Sequence, residues 1–230
     1  MGNAVIVGHV HRLIAFDLDG TLIDSRRDLA DSANALITEL GGTPLSEDAI
    51  GQMVGEGAAL LVRRALRASG IDDIQSALPR FLEIYDAHLL DHTRLYDGMP
   101  EVVRHARRHA RVTLLTNKPL RPTERILDGL GVRDLFDDVV GGDSPLPRKP
   151  DPAGLLEMMR AASARAGETL LVGDSAIDLE TARRAGVRCC LVSFGFGFQS
   201  LREPPGLETW IAKDAASLAD VIDEFVLTTT

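Results

Sequence analysis

Five short apolar runs, each ending in polar or glycine-rich residues, most constrain the fold of this 230-residue chain. Their apolar residues are continuous rather than alternating, which is typical of strands that are buried on both faces of a sheet. From about residue 100 onward the runs alternate with helical patterns, and this order predicts an α/β fold with a doubly wound parallel sheet. The runs are LIAFD (13–17), VTLLTN (112–117), DDVVGGD (137–143), TLLVGD (169–174) and RCCLVSFG (188–195).

Residues 26–93 interrupt this alternation. The stretch is helical in pattern throughout and offers no strand, from RRDLADSANALITELG through AALLVRRALRASG to LPRFLEIYDAHLLDH. We interpret it as an α-helical domain inserted after the first strand. The sequence therefore predicts two domains: an α/β core formed by residues 1–25 and 94–230, and a helical insertion formed by residues 26–93.

Charge and composition disfavour several classes of partner. The chain has 25 Lys and Arg against 34 Asp and Glu, a formal charge of −9, which argues against binding to nucleic acid or to an anionic membrane surface. The apolar runs fall well short of the roughly 18 residues of a membrane span, and the first residues lack the basic start of a secretion signal, so we expect a cytoplasmic protein.

The adjacent Cys189 and Cys190 cannot join distant segments, and we expect them in a buried strand in a reducing compartment. The pattern specifies no oligomeric state.

Polar side chains follow several of the predicted strands. Asp17 ends the first run, Thr116 lies near the end of the second, and Asp174 ends the fourth. Lys149 lies in the loop GGDSPLPRKP that follows the third run. Because the ligand site of an open α/β sheet lies beyond the carboxyl ends of its strands, we expect these four residues to meet at one edge.

The carboxylates at this edge predict a metal site. Asp17 and Asp19 are two residues apart at a strand end, so both can project toward one site together with Asp174. Carboxylates this close raise one another's pKa unless a cation neutralises them, and a set of oxygen ligands favours Mg²⁺. Protein-bound Mg²⁺ usually contacts one or two carboxylates and a phosphate oxygen, which implies a small phosphorylated metabolite as substrate.

The same residue types suit phosphoryl transfer, which needs positioning and charge neutralisation more than covalent activation. Lys149 can supply positive charge, Thr116 a hydroxyl donor, and the backbone N–H groups after Asp17 a small anion cradle. Asp17 is the candidate nucleophile, forming an aspartyl phosphate. Asp19 is the candidate acid and base, which protonates the leaving oxygen and later takes a proton from water.

The segments DLDGTLIDS, LLTNKP, RKPDP and VGDSAIDLETARRAG occur in this order along the chain. Together they resemble the four signature motifs of the haloacid dehalogenase superfamily, and of its phosphatases in particular. The resemblance implies a Rossmann-like core with a helical cap, an activity that depends on Mg²⁺, Asp17 as nucleophile and Asp19 as acid and base. It also implies that Thr116, Asn117 and Lys149 bind the phosphate.

The resemblance further implies a set of metal ligands. Mg²⁺ would be held by the side chains of Asp17 and Asp174 and by the backbone carbonyl of Asp19. Asp178, one helical turn after Asp174, would orient a metal-bound water. A solvated acid favoured by the dipole of the helix start remains the alternative interpretation of Asp178.

A segment of the insertion predicts the substrate. GEGAALLVRRAL (55–66) is similar to the cap segment of phosphoglycolate phosphatases, and it includes an arginine, Arg64, where the resembled segment also has one. Arginine binds carboxylates through two parallel hydrogen bonds, so Arg64 is a candidate for binding a second negative charge on the substrate. We therefore expect 2-phosphoglycolate or another small phosphorylated acid.

Other functions share some of these motifs. A phosphatase or mutase acting on sugar phosphates, nucleotides or pyrophosphate remains open, because such enzymes differ in contacts from the cap. A non-enzymatic phosphoacceptor domain is disfavoured because its phosphoacceptor follows a middle strand, and a carbon–halogen hydrolase because it lacks the second aspartate. A phosphonoacetaldehyde hydrolase needs a lysine in the cap, and the first lysine of this chain is Lys118.

Overall fold

The computed structural model describes residues 11–72, 75–201 and 209–229. In chain order, the strands of this part are β1 (Leu13–Phe16), β2 (Ile23–Asp24), β3 (Arg94–Leu95), β4 (Arg111–Leu115), β5 (Asp138–Val140), β6 (Thr169–Gly173), β7 (Arg188–Val192) and β8 (Thr209–Ala212). The helices are α1 (Arg26–Glu39), α2 (Glu47–Gly51), α3 (Ala58–Ala68), α4 (Ala77–Ala87), α5 (Met99–Arg107), α6 (Leu120–Gly129), α7 (Ala153–Ala162), α8 (Ala176–Ala185) and α9 (Ala215–Leu227).

Six strands form one parallel sheet in the order β5-β4-β1-β6-β7-β8. The central strand β1 pairs with β4 on one side and β6 on the other, with Ala15 opposite Thr113 and Leu171. All four residues of β1 are buried, as expected for a strand covered by helices on both faces. The α/β class and the five predicted strands are therefore confirmed.

Strand β8 was not predicted from the sequence. It has only four residues, TWIA, and lies at the edge of the sheet beside β7. Ile211 is 50% exposed, so the segment lacks the continuous burial that reveals the central strands. Cys189 and Cys190, by contrast, lie buried and unpaired in β7, as the sequence predicts.

Helices α1 to α4 all fall between residues 26 and 93. The short strands β2 and β3 pair antiparallel at the two ends of this stretch, with Asp24 opposite Arg94. Asp28, buried at the start of α1, accepts hydrogen bonds from the backbone of His92 and Thr93 and so closes the same junction. We propose the domain boundary at this paired stem, where the sequence analysis placed it.

Within the part of the chain that the structure describes, no helix is both long enough and apolar enough to cross a bilayer.

Candidate active site

Asp17 follows β1 directly, and its backbone N–H still donates to Val172 of β6 at 2.9 Å. The sheet therefore fixes this residue at the carboxyl edge. The ammonium of Lys149 donates to Asp17 Oδ1 at 2.6 Å and to Asp178 Oδ1 at 2.6 Å. Both lysine partners are buried, so Lys149 neutralises charge that water does not reach.

Three buried carboxylates, those of Asp17, Asp174 and Asp178, bring one oxygen each within 4.8 Å of the others. Such a set of hard oxygen donors fits Mg²⁺. Asp178 is also the third residue of a capping box at the start of α8: its Oδ2 accepts from Ser175 Oγ at 2.6 Å and from the Ser175 N–H at 3.1 Å. The side chain of Asp178 is thus held by its own helix start and by Lys149, which suits it to position the lysine.

Burial and mutual repulsion perturb this cluster. Burial, together with the neighbouring Asp178 and Asp19 charges, raises the pKa of Asp17 from 3.8 to about 7, although Lys149 opposes the shift. Burial and the same kind of repulsion hold the pKa of Asp174 well above its ordinary value. Burial lowers the pKa of Lys149, but Asp17 and Asp178 outweigh it, so the lysine stays charged. The site therefore carries more negative charge than its lysine compensates, as a cation site does.

Two glycine-containing loops enclose Asp174. Gly20 has φ +88°, and a Cβ there would lie 2.0 Å from Asp174 Oδ2, so only glycine fits this turn. The N–H of Gly197 donates to the same oxygen at 2.7 Å. Gly197 belongs to the segment FGFGF (194–198), which therefore forms part of the site wall without any dinucleotide-binding pattern.

Asp19 lies beside the cluster but has different partners. Its Oδ1 accepts from Ser25 Oγ at 2.6 Å, and both of its carboxylate oxygens accept from the ammonium of Lys118 at 3.0 Å. Asp19 is thus held by residues other than those that hold the three clustered carboxylates.

Thr116 and Asn117 follow strand β4 as a buried pair. Thr116 lines the cavity, and its Oγ1 accepts from the N–H of Lys118 at 3.2 Å. The side-chain amide nitrogen of Asn117 donates to the carbonyls of Gly55 at 2.8 Å and Lys149 at 2.9 Å. Both amide hydrogens are then used, so the side chain of Asn117 joins the insertion to the lysine loop. Phosphate binding by Asn117 stays a prediction.

Substrate binding by Arg64 also stays a prediction. Helix α3 buries Leu61 and Ala65 among others, and Arg64 lies at the margin of this face. Its guanidinium pairs with Glu56, and the two side chains are 40% and 42% exposed. Arg64 is not among the described residues that line the cavity.

The cavity lies between the sheet edge and the insertion. The core contributes the charged side chains already described, and the insertion contributes mainly apolar ones, including Val54, Leu61, Phe81 and Leu82. Charged side chains of the core and apolar side chains of the insertion therefore line one cavity.

Sequence reasoning missed Lys118, Ser25 and Tyr85. A signal for the first was present, because the chain has only three lysines, at positions 118, 149 and 213, while arginine supplies the other cationic side chains. Two of these three lysines are buried in the same site. Ser25 and Tyr85 carry no comparable signal, since their roles depend on how the insertion packs.

Comparisons with known proteins agree with this architecture. Residues 14–192 match the family of haloacid dehalogenase-like hydrolases. The phosphoglycolate phosphatase of Pseudomonas fluorescens is 40% identical over 210 residues, covering 87% of this chain and 76% of the relative. That of Rhodospirillum rubrum is 39% identical over 218 residues, covering 91% and 90%.

A solved structure shows the same fold. The crystal structure described as a predicted phosphoglycolate phosphatase from Haemophilus somnus superposes with a TM-score of 0.82 at 27% identity, covering 94% of this chain and 99% of the other. Sequence family, fold and the order of the four motifs all agree. The chain therefore belongs to the haloacid dehalogenase-like hydrolases and is a phosphatase-like enzyme of that family.

Proposed function

We propose that the protein is a Mg²⁺-dependent phosphomonoester hydrolase that acts through an aspartyl phosphate on 2-phosphoglycolate or another small phosphorylated acid. The observation that carries the proposal is the meeting of Asp17, Asp19, Lys149 and Asp174 at one cavity. The names of the relatives from Pseudomonas fluorescens and Rhodospirillum rubrum support the choice of substrate.

Asp17 is the proposed nucleophile. Its carboxylate attacks phosphorus, so a bond forms between an Asp17 oxygen and phosphorus while the bond from phosphorus to the leaving oxygen breaks. Lys149, held between Asp17 and Asp178, keeps the nucleophile in place and offers positive charge to the phosphoryl oxygens. Thr116 adds a hydroxyl donor at the same edge of the sheet.

Asp19 is the proposed acid and base. It gives a proton to the leaving oxygen in the first step, and in the second step it takes one from the water that attacks the aspartyl phosphate. Inorganic phosphate then leaves, and Asp17 is free again. Ser25 and Lys118 hold the Asp19 carboxylate in position for both transfers.

The side chains of Asp17 and Asp174 and the carbonyl of Asp19 would hold Mg²⁺, which when bound neutralises negative charge on the phosphoryl oxygens. Asp178 contributes by holding Lys149 and the start of α8.

The lining of the cavity supports a leaving group with few hydroxyl groups. The insertion contributes apolar side chains, including Val54, Leu61, Phe81 and Leu82, which offer no hydrogen bonds to the hydroxyl groups of a sugar. A two-carbon leaving group such as glycolate carries none of the extra hydroxyl groups of a sugar.

A substrate panel tests the proposal. We expect the purified protein with Mg²⁺ to hydrolyse 2-phosphoglycolate with a kcat/KM at least tenfold above glucose 6-phosphate, AMP and pyrophosphate, a difference within reach of a shaped pocket. Excess EDTA should abolish the activity and Mg²⁺ should restore it. Full activity in EDTA would contradict the metal dependence, and a tenfold preference for AMP or glucose 6-phosphate would contradict the substrate. Multiple turnover excludes a phosphoacceptor that reacts once.

A further inference from the structure

Lys118 is a buried cation that the proposed phosphoryl transfer leaves partly unused. Its side chain is 4% exposed, lines the cavity and donates to the two oxygens of Asp19 at 3.0 Å. An ammonium has three N–H donors, so the bonds to Asp19 leave one that faces Tyr85 and a ligand beside it. Among the described residues that line the cavity, the other cation is Lys149, which is held between Asp17 and Asp178.

Tyr85 of helix α4 faces the same space from the insertion. Its ring lies 4.7 Å from the ammonium of Lys118, within the range of a cation–π contact. The side chain is buried and lines the cavity, and its hydroxyl makes no hydrogen bond of regular geometry within the described residues, with the Lys118 ammonium as its charged neighbour. Because buried hydroxyl groups are nearly always hydrogen-bonded, a partner from a ligand would explain this one.

The position of Asp19 fixes where a leaving group lies. An acid must approach the leaving oxygen within a hydrogen bond, about 3 Å. Lys118 Nζ is 3.0 Å from both oxygens of Asp19. A group attached one carbon away from the leaving oxygen therefore comes within reach of Lys118 and of the Tyr85 ring beside it.

We infer that Lys118 and Tyr85 together form the binding site for a carboxylate on the leaving group, an inference that rests on the proposed phosphatase function. An ammonium and a phenol both donate hydrogen bonds, and a carboxylate accepts them. The rings of Tyr85 and Phe81 stack with their centroids 5.8 Å apart, so the phenol belongs to an apolar wall of the insertion. This pair supplies the second positive contact that the sequence analysis assigned to Arg64.

The test compares two substrates that differ in one group. 2-Phosphoglycolate carries the carboxylate, and 2-hydroxyethyl phosphate has a hydroxymethyl group in its place. The substrate ratio is the kcat/KM for 2-phosphoglycolate divided by the kcat/KM for 2-hydroxyethyl phosphate. Tyr85→Phe is expected to lower this ratio by roughly tenfold, the usual effect of one hydrogen bond to a charged group. Lys118→Met is expected to lower the ratio by roughly a hundredfold, since it removes the charge as well.

Tyr96→Phe is the matched control. The Tyr96 hydroxyl is also buried without a partner among the described residues, but Tyr96 does not line the cavity. This variant should leave the substrate ratio unchanged. Equal losses on both substrates in Tyr85→Phe and Lys118→Met would overturn the inference. If Lys118→Met does not fold, Tyr85→Phe alone still tests the inference, because the Tyr85→Phe substitution removes a single oxygen.

A binding experiment separates this inference from the proposed function. In an Asp17→Asn background, calorimetry with Mg²⁺ gives the Kd of each phosphate ester without turnover. We expect Tyr85→Phe to raise the Kd of 2-phosphoglycolate by roughly tenfold and that of 2-hydroxyethyl phosphate little. Absence of turnover in the unmodified protein would refute the phosphatase proposal, whereas an unchanged ratio of Kd values would overturn the carboxylate site.

Discussion

Asp17→Asn is expected to stabilise the metal-free protein at alkaline pH while it stops catalysis. Burial, aided by repulsion from Asp178 and Asp19, raises the pKa of Asp17 from 3.8 to about 7. The folded protein therefore binds a proton at Asp17 more tightly than the unfolded chain does. The stability that comes from this proton is fully present below about pH 4 and is lost as the pH rises through 7.

The magnitude follows from the size of the shift. A pKa displaced by about 3 units corresponds to about 4 kcal/mol once Asp17 is fully ionised. Between pH 5 and pH 8 this group alone removes about 2 to 3 kcal/mol from the free energy of unfolding. An asparagine carries no charge, and Lys149 keeps Asp178 as its partner, so the variant escapes that loss.

Chemical denaturation in EDTA at pH 5 and pH 8 measures the effect. We expect the free energy of unfolding of Asp17→Asn, relative to the unmodified protein, to increase by about 2 to 3 kcal/mol between the two pH values. Asp128→Asn, at an exposed position of α6, is the control and should follow the unmodified protein. Mg²⁺ should stabilise the unmodified protein more than Asp17→Asn. A difference between Asp17→Asn and the unmodified protein that is the same at both pH values would refute the reasoning.

Three further substitutions test the other parts of the site. Asp19→Asn should lower kcat by roughly 10²- to 10⁴-fold through loss of proton transfer while calorimetry shows unchanged Mg²⁺ binding; an unchanged kcat would contradict the assignment. Asn117→Ala should lower the free energy of unfolding by about 1 to 3 kcal/mol, because the carbonyls of Gly55 and Lys149 lose a donor; unaltered denaturation would show that this link is unimportant. Gly20→Ala should weaken Mg²⁺ binding by roughly 10- to 100-fold, since its Cβ displaces Asp174; calorimetry that shows wild-type affinity would exclude this.

Local features of the sequence predicted the core of the fold. Strands such as LIAFD and TLLVGD are continuous apolar runs, because both of their faces are covered by helices. Polar residues that end such strands come together at the carboxyl edge of a parallel sheet whatever the details of packing. From this rule we predicted that Asp17, Thr116, Lys149 and Asp174 meet at one edge of the sheet. All four line the same cavity in the structure.

The contacts of the insertion could not be predicted in the same way. Arg64 and Asn117 both have the right chemistry for an anion, but Glu56 and two backbone carbonyls are nearer partners. Which polar group meets which depends on the packing of α3 and α4 against the sheet, and no periodicity in the sequence encodes that packing. The edge strand β8 was not predicted because a half-exposed strand has no continuous apolar run in the sequence.

The sequence alone thus predicted five of the six strands of the sheet, the helices between residues 26 and 93 and the polar side chains at the strand ends, because each depends on the chain within a few residues of itself. The tertiary structure decided which of those side chains remain available to a ligand. Lys118 and Tyr85 are 33 residues apart in sequence, but the fold places both of them in one cavity. Burial there strengthens the contacts that the lysine charge and the tyrosine hydroxyl can make with a ligand. Pairing and desolvation arise from the whole fold, and they set the strength of every polar contact in the site.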